Sequence, residues 1–164
     1  MRIKNALVES PVRDSVVKPE YLSHGTLECR SLAASRPFYE EFLGFECVRH
    51  AKPAMVLRCG LRFHIVCLEV GSALQPVSVD NHWGIDVGSA AEVERIWQAA
   101  HDLKDKYGIG QIMDLVKQHG TYSFYFEDQD SNWWEIQYYD GVQHDDMFDF
   151  GDRYTDADLA DSHT

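Results

Sequence analysis

The sequence predicts an α+β fold: two tandem βαβββ modules forming a cleft-shaped mixed β-sheet with flanking helices. Two observations carry this expectation. Strand-type alternation gives way to helical periodicity and then to several short strands, and this order occurs twice, beginning at Tyr21 and again near His82. Each helical stretch also ends at a glycine, Gly44 in the first half and Gly108 in the second, the residue suited to the left-handed position that stops a helix.

Residues 1–20 are read as an N-terminal extension with two prolines. The first module, 21–70, opens with a strand from Tyr21 to Arg30 and continues with a helix from about Ser35 to Leu43. Short strands follow through Val48, from Met55 to Cys59 and from Arg62 to Val70. Gly71 to Asp80 serve as a linker. The second module, 81–141, begins with a strand from Asn81 to Val87. Its helix starts at Ser89-Ala90-Ala91-Glu92, which has capping-box spacing, and places Val93, Ile96, Trp97, Ala100, Leu103 and Tyr107 on one stripe. Strands Gln111–Val116, Tyr122–Glu127 and Asn132–Tyr139 complete it. Residues 142–164 form an acidic, solvated C-terminal tail: seven Asp against one Arg between Asp145 and Thr164 supply half of the chain's net charge of −12.

At 164 residues, 45% of them hydrophobic, the chain is long enough for a real core. The acidic balance argues against nucleic acid as a partner and offers no basic stripe to a membrane. No stretch has the length of a membrane-spanning helix and the first residues lack the apolar core of a signal peptide, so a cytoplasmic protein is expected. Cys29, Cys47, Cys59 and Cys67 have no CxxC spacing and are expected as buried free thiols.

Alternation places His24 with Thr26 and Glu28, His82 with Gly84 and Asp86, and Glu135 with Gln137, each set opposite a more apolar face. Two imidazoles and a carboxylate are a metal-site proposal. Mixed nitrogen and oxygen donors suit Fe(II), Mn, Zn, Ni or Co better than Ca or Mg, and three ligands leave coordination positions open. A lone histidine on a strand is usually only a hydrogen-bonded surface group, so the frames around these residues matter.

Those frames are HGTLECRSLAASRPFYEEFLGF from His24, HWGIDVGSAAEVERIW from His82, and YSFYFEDQDSNWWEIQYY around Glu135. Over roughly residues 21–141 they resemble the vicinal oxygen chelate superfamily, which includes glyoxalase I, fosfomycin-resistance enzymes, bleomycin-binding proteins and type I extradiol dioxygenases. The resemblance implies that His24, His82 and Glu135 converge as metal ligands although 58 and then 53 residues separate them in sequence.

It also implies a reaction. Glyoxalase I enzymes usually carry a glutamate, as a fourth ligand and base, in the strand where this chain has His64, and His64 is expected to match Glu135 by pseudo-symmetry. Extradiol dioxygenases place an acid/base histidine in that strand, a tyrosine where Tyr125 stands, and another histidine near His119. The site pattern is thus similar to a one-domain extradiol dioxygenase. Such an enzyme would use Fe(II), a catechol-type aromatic and dioxygen, with His64, Tyr125 and His119 as catalytic residues, in a homodimer. The full-length dioxygenases commonly have two domains, where this chain would supply one. Whether His64 ligates the metal or serves as an acid/base beside it stays open. The alternatives are a non-oxidative lyase or isomerase of the glyoxalase type, and a metal-free small-molecule binding protein of the resistance kind.

Overall fold

The computed structural model describes residues 16, 22–60, 63–118 and 120–140. Most of the N-terminal extension, His119 and the acidic tail lie outside the described residues. The chain divides into two compact units, one running to Pro76 and including Asp128–Asn132, the other made of Val77–Glu127 and the residues from Trp133 onward.

In the first unit, β1 (His24–Cys29) alternates as its sequence predicts: Leu27 and Cys29 are buried while His24, Thr26 and Glu28 are exposed. The helix begins at Leu32, three residues before the expected start. It stays α-helical only through Pro37, as α1 (Leu32–Pro37), and widens to a π-helical turn over Phe38–Phe42. Pro37 has no N–H to offer the preceding turn, and the chain relaxes into i→i+5 bonding, with Leu43 N–H donating to Phe38 O at 3.1 Å. The widened turn buries both Phe38 and Tyr39, and Gly44, at φ 72°, ends it. Three strands follow, β2 (Glu46–Ala51), β3 (Ala54–Arg58) and β4 (His64–Glu69), and the sheet order is β1-β4-β3-β2 with β1 parallel to β4.

The second unit repeats this plan. β5 (His82–Asp86), α2 (Ala90–Asp102), α3 (Lys104–Tyr107), β6 (Val116–Gln118), β7 (Thr121–Glu127) and β8 (Trp133–Tyr139) form a sheet of order β5-β8-β7-β6, again with first and last strands parallel. Ser89 caps α2 as its spacing predicts, its Oγ accepting from Glu92 N–H at 3.2 Å. Val93 and Ala100 are fully buried on the face that α2 packs against β7 and β8. Leu103 leaves the predicted stripe: the helix breaks there, at φ −107° and ψ 12°, and the side chain is exposed. The strand expected over Gln111–Val116 is reduced to one bridge, Ile112 with Phe126, before the short β6.

Each unit is therefore a βαβββ module carrying a four-stranded mixed sheet. Of the four thiols, Cys29, Cys47 and Cys67 are buried as expected, whereas Cys59 is exposed in the turn after β3. Among the described residues no helix is long and apolar enough to cross a membrane.

The turn Asp128–Asn132 holds two buried carboxylates, Asp128 at 2% and Asp130 at 3% exposure. Hydrogen bonds offset their desolvation. Asp128 Oδ1 accepts from the backbone N–H groups of Asp130 (2.8 Å) and Asn132 (3.0 Å), and its Oδ2 accepts from the Tyr39 hydroxyl at 3.3 Å. Asp130 accepts from Arg30 N–H at 2.8 Å and from the Ser35 hydroxyl, and Asn132 Nδ2 donates to Glu28 O at 3.0 Å. Burial, followed by the neighbouring Asp128 charge, pushes the Tyr39 phenol well above its ordinary value, so it stays a donor. Asp128→Ala would strand several buried donors at once. The expected loss is about 3 kcal/mol of stability, read as a lower urea midpoint with unchanged slope.

Candidate functional site

The site in the second unit follows from strand register. β8 lies between β5 and β7, and Glu135 is opposite Gly84 on its parallel side and opposite Tyr125 on its antiparallel side. All three share one face of the sheet with His82, two residues before Gly84. Because Gly84 has no side chain, the Glu135 carboxylate can lie across it; a Cβ there would come within 3.9 Å of Oε2. Glu135 Oε2 lies 3.4 Å from His82 Nε2.

The other nitrogen of His82, Nδ1, lies 2.8 Å from the Val79 carbonyl oxygen. A carbonyl only accepts, so Nδ1 carries a proton, and Nε2 is the nitrogen turned to Glu135, able to donate to the carboxylate when protonated or to ligate a metal when not. Tyr125 closes the group. Its ring meets that of His82 edge-on, at 4.9 Å between centroids and 82° between planes, and Gln118 Nε2 donates to its hydroxyl at 3.4 Å. Burial first, and the adjacent Glu135 second, raise the Tyr125 phenol above its usual value, which keeps it protonated at neutral pH.

Glu135 is only 7% exposed, and among the described residues no Lys or Arg pairs with it. With no Lys or Arg at hand, the positive charge that a buried carboxylate needs can come from a proton on His82 or from a metal ion held between the two side chains. The donor separation fits one: two ligand atoms about 2.1 Å from the same ion stand about 3.0–3.4 Å apart. By donor type and by spacing, His82 and Glu135 fit a transition-metal ion.

In the first unit His24 and His64 are direct partners across β1 and β4. Their rings stack at 5.5 Å between centroids and 18° between planes, and the Ser23 hydroxyl meets His24 Nδ1 at 2.8 Å. This register corrects the expected pseudo-symmetry. His64 opposite His24 corresponds to Trp133 opposite His82, while the counterpart of Glu135, two residues further along the last strand, is Val66. A two-residue offset keeps the same face but moves the side chain a full pleat along the strand.

The structure thus brings His82, Glu135 and Tyr125 together in one unit and His24 with His64 in the other; His119 lies outside the described residues. No three His, Cys, Asp or Glu side chains gather within either unit among the described residues. Sequence reasoning missed the cleft beside the second-unit group, of about 380 Å³, lined by His82, Tyr125, Gln118 and Val116 together with Val79, Asp80, Met113 and Asp114. Half of that lining comes from the irregular segments before β5 and β6, which carry no periodic signal. Ser123, on the same face of β7 as Tyr125, is fully buried beside it.

No protein-family model matches the sequence, and no curated protein matches it. Solved structures do. A possible glyoxalase from Bacillus cereus superposes with a TM-score of 0.57 at 21% identity over 70% of this chain and 96% of that one. A glyoxalase/bleomycin resistance protein/dioxygenase from Alicyclobacillus acidocaldarius gives 0.56 at 22% identity over 73% and 92%. A lactoylglutathione lyase from Agrobacterium tumefaciens gives 0.54 at 18% identity over 73% and 94%. At these identities the likeness is one of fold, and it agrees with the duplicated βαβββ topology. The chain has the fold of these glyoxalase-type structures.

Proposed function

We propose that the protein is a metal-dependent extradiol dioxygenase that opens the ring of a catechol-type aromatic, with His24, His82 and Glu135 as ligands of Fe(II). The observation that carries the metal reading is the His82–Glu135 pair: a buried carboxylate with no Lys or Arg partner among the described residues, 3.4 Å from an imidazole nitrogen whose ring is held by the Val79 carbonyl. His24 enters the ligand set through the sequence resemblance. Bound there, Fe(II) would supply a centre at which a catecholate and dioxygen meet and exchange electrons.

The chain's own residues supply the rest. Tyr125, protonated and flanking both His82 and Glu135, donates a hydrogen bond to a substrate oxygen and fixes its orientation. His64, stacked on His24, would accept and return a proton, the side-chain type suited to that exchange near neutral pH. The cleft walls Val79, Met113 and Val116 give an aromatic ring an apolar surface.

The same donors would accept Mn, Zn, Ni or Co and serve a non-oxidative lyase or isomerase. Ring cleavage is favoured by the first unit's counterpart of Glu135, since Val66 has no donor atom to act as the fourth ligand and base of a glyoxalase.

Protein purified without air and reconstituted with Fe(II) is expected to consume oxygen with a catechol panel and to release a yellow ring-fission product. Stoichiometric metal without oxygen uptake would transfer the assignment to the lyase or isomerase reading. His24→Ala, His82→Ala and Glu135→Ala should each weaken metal binding by more than the roughly 10–100-fold that loss of a supporting partner costs, measured by competition with a chelating dye. Full occupancy in His82→Ala would remove the site. His64→Gln should keep the metal and lose turnover; loss of metal in that variant would make His64 a ligand.

A further inference from the structure

Among the described residues the cleft beside His82 and Tyr125 carries acidic side chains and no Lys or Arg. Asp80 and Asp114 stand on its lining, both exposed. The nearest basic residue in sequence, Lys117, lies between Val116 and Gln118 on β6; those two face the cleft, so alternation turns Lys117 to the opposite side. Asp80 is engaged only by neutral groups, its Oδ2 accepting from the Ser78 hydroxyl at 3.1 Å. Among the described residues neither aspartate belongs to an ion pair.

The two carboxylates come from separate segments. Asp80 follows Val79, whose carbonyl holds His82, so its position is tied to the metal-facing imidazole. Asp114 follows Met113, whose carbonyl accepts from Trp97 Nε1 at 3.0 Å and whose N–H donates to Tyr125 O at 2.8 Å. Both charges are thus mounted on anchored backbone, with the apolar Val79, Met113 and Val116 beside them.

We infer that this cleft selects a small aromatic molecule bearing a positive charge and rejects anionic ones, with Asp80 and Asp114 as the specificity-determining residues. The inference takes the cleft as the substrate pocket of the function proposed above and adds the charge class of the substrate. Apolar walls hold the ring, and the cationic substituent lies toward the two carboxylates. Carboxylated, phosphorylated or peptide-conjugated anions meet repulsion at the same place. Because both carboxylates are exposed, solvent moderates their effect and salt screens it.

The test uses three probes of one ring size that coordinate metals weakly or not at all: benzyltrimethylammonium, benzyl alcohol and benzenesulfonate. Binding is measured by calorimetry on the intact protein at low and raised ionic strength. The cation is expected to bind about tenfold more tightly than the alcohol, the sulfonate more weakly than either, with the spread shrinking as salt rises. Asp80→Asn/Asp114→Asn should collapse the spread while leaving benzyl alcohol affinity unchanged. The charge-matched control Asp102→Asn/Asp105→Asn, on the helical segment away from the cleft lining, should preserve it.

Equal affinities in the unaltered protein, no binding of any probe, a spread that survives the Asp80/Asp114 exchange, or one abolished equally by the control would each overturn the inference. The failures are separable. If the charge order holds but catechols provoke no oxygen uptake, the dioxygenase reading falls and the selectivity stands. Uptake without a charge order leaves the reaction and removes the selectivity.

Discussion

Parallel pairing of the first and last strands of each unit is the constraint on which the site depends. Parallel neighbours cannot be joined by a tight turn, so each module must route a helix and two further strands between them. That route makes His82 and Glu135 neighbours although 53 residues separate them. The pairing must also hold its register, because a slip of one residue would send Glu135 to the opposite face. That opposite face is where register is held: Trp134, Ile136, Phe124 and Phe126 are buried there, with α2 packed on β7 and β8. Each such side chain contributes about 2 kcal/mol by burial. A slip would exchange them for Trp133, Glu135, Ser123 and Tyr125, so the apolar core keeps the polar site in place.

Three buried carboxylates show two ways of carrying charge in a core. Asp128 and Asp130 are supplied with backbone N–H groups, the Tyr39 and Ser35 hydroxyls and the Asn132 amide, and their chemistry is complete. Glu135 is not supplied in this way. Its partners are the Tyr125 phenol and His82 Nε2. A buried carboxylate partnered by a histidine and a phenol, rather than by a full set of backbone and hydroxyl donors, is the one of the three that a metal cation could join. A sequence reader sees only three acids in the stretch from Asp128 to Glu135.

What the sequence discloses and what it withholds divide along physical lines. Alternation and helical period report burial, so the βαβββ order, the exposed face of β1 carrying His24 and the Ser89 cap were all readable. The widened turn after Pro37 was not, since proline announces a missing donor but not which longer bond replaces it. Nor were Val79 and Asp114: they act through a carbonyl and a loop position, which side-chain patterns do not encode. Cys59 was misjudged because it lies one residue beyond β3, where alternation no longer dictates burial.

The repeat itself misleads in an instructive way. Both units align their first histidine with the first residue of the last strand, so the backbones are equivalent at His24–His64 and His82–Trp133. The chemistry is not equivalent. In the first unit an imidazole, His64, sits directly opposite the first histidine and stacks on it; in the second a carboxylate, Glu135, sits one pleat further on and reaches back across a glycine. Stacked imidazoles exchange protons or share a ligand role, whereas an imidazole and an offset carboxylate converge on a point between their donor atoms. Two register-equivalent positions make the difference, His64 against Trp133 and Val66 against Glu135. A duplicated backbone can therefore carry different polar groups in its two halves without any change of topology.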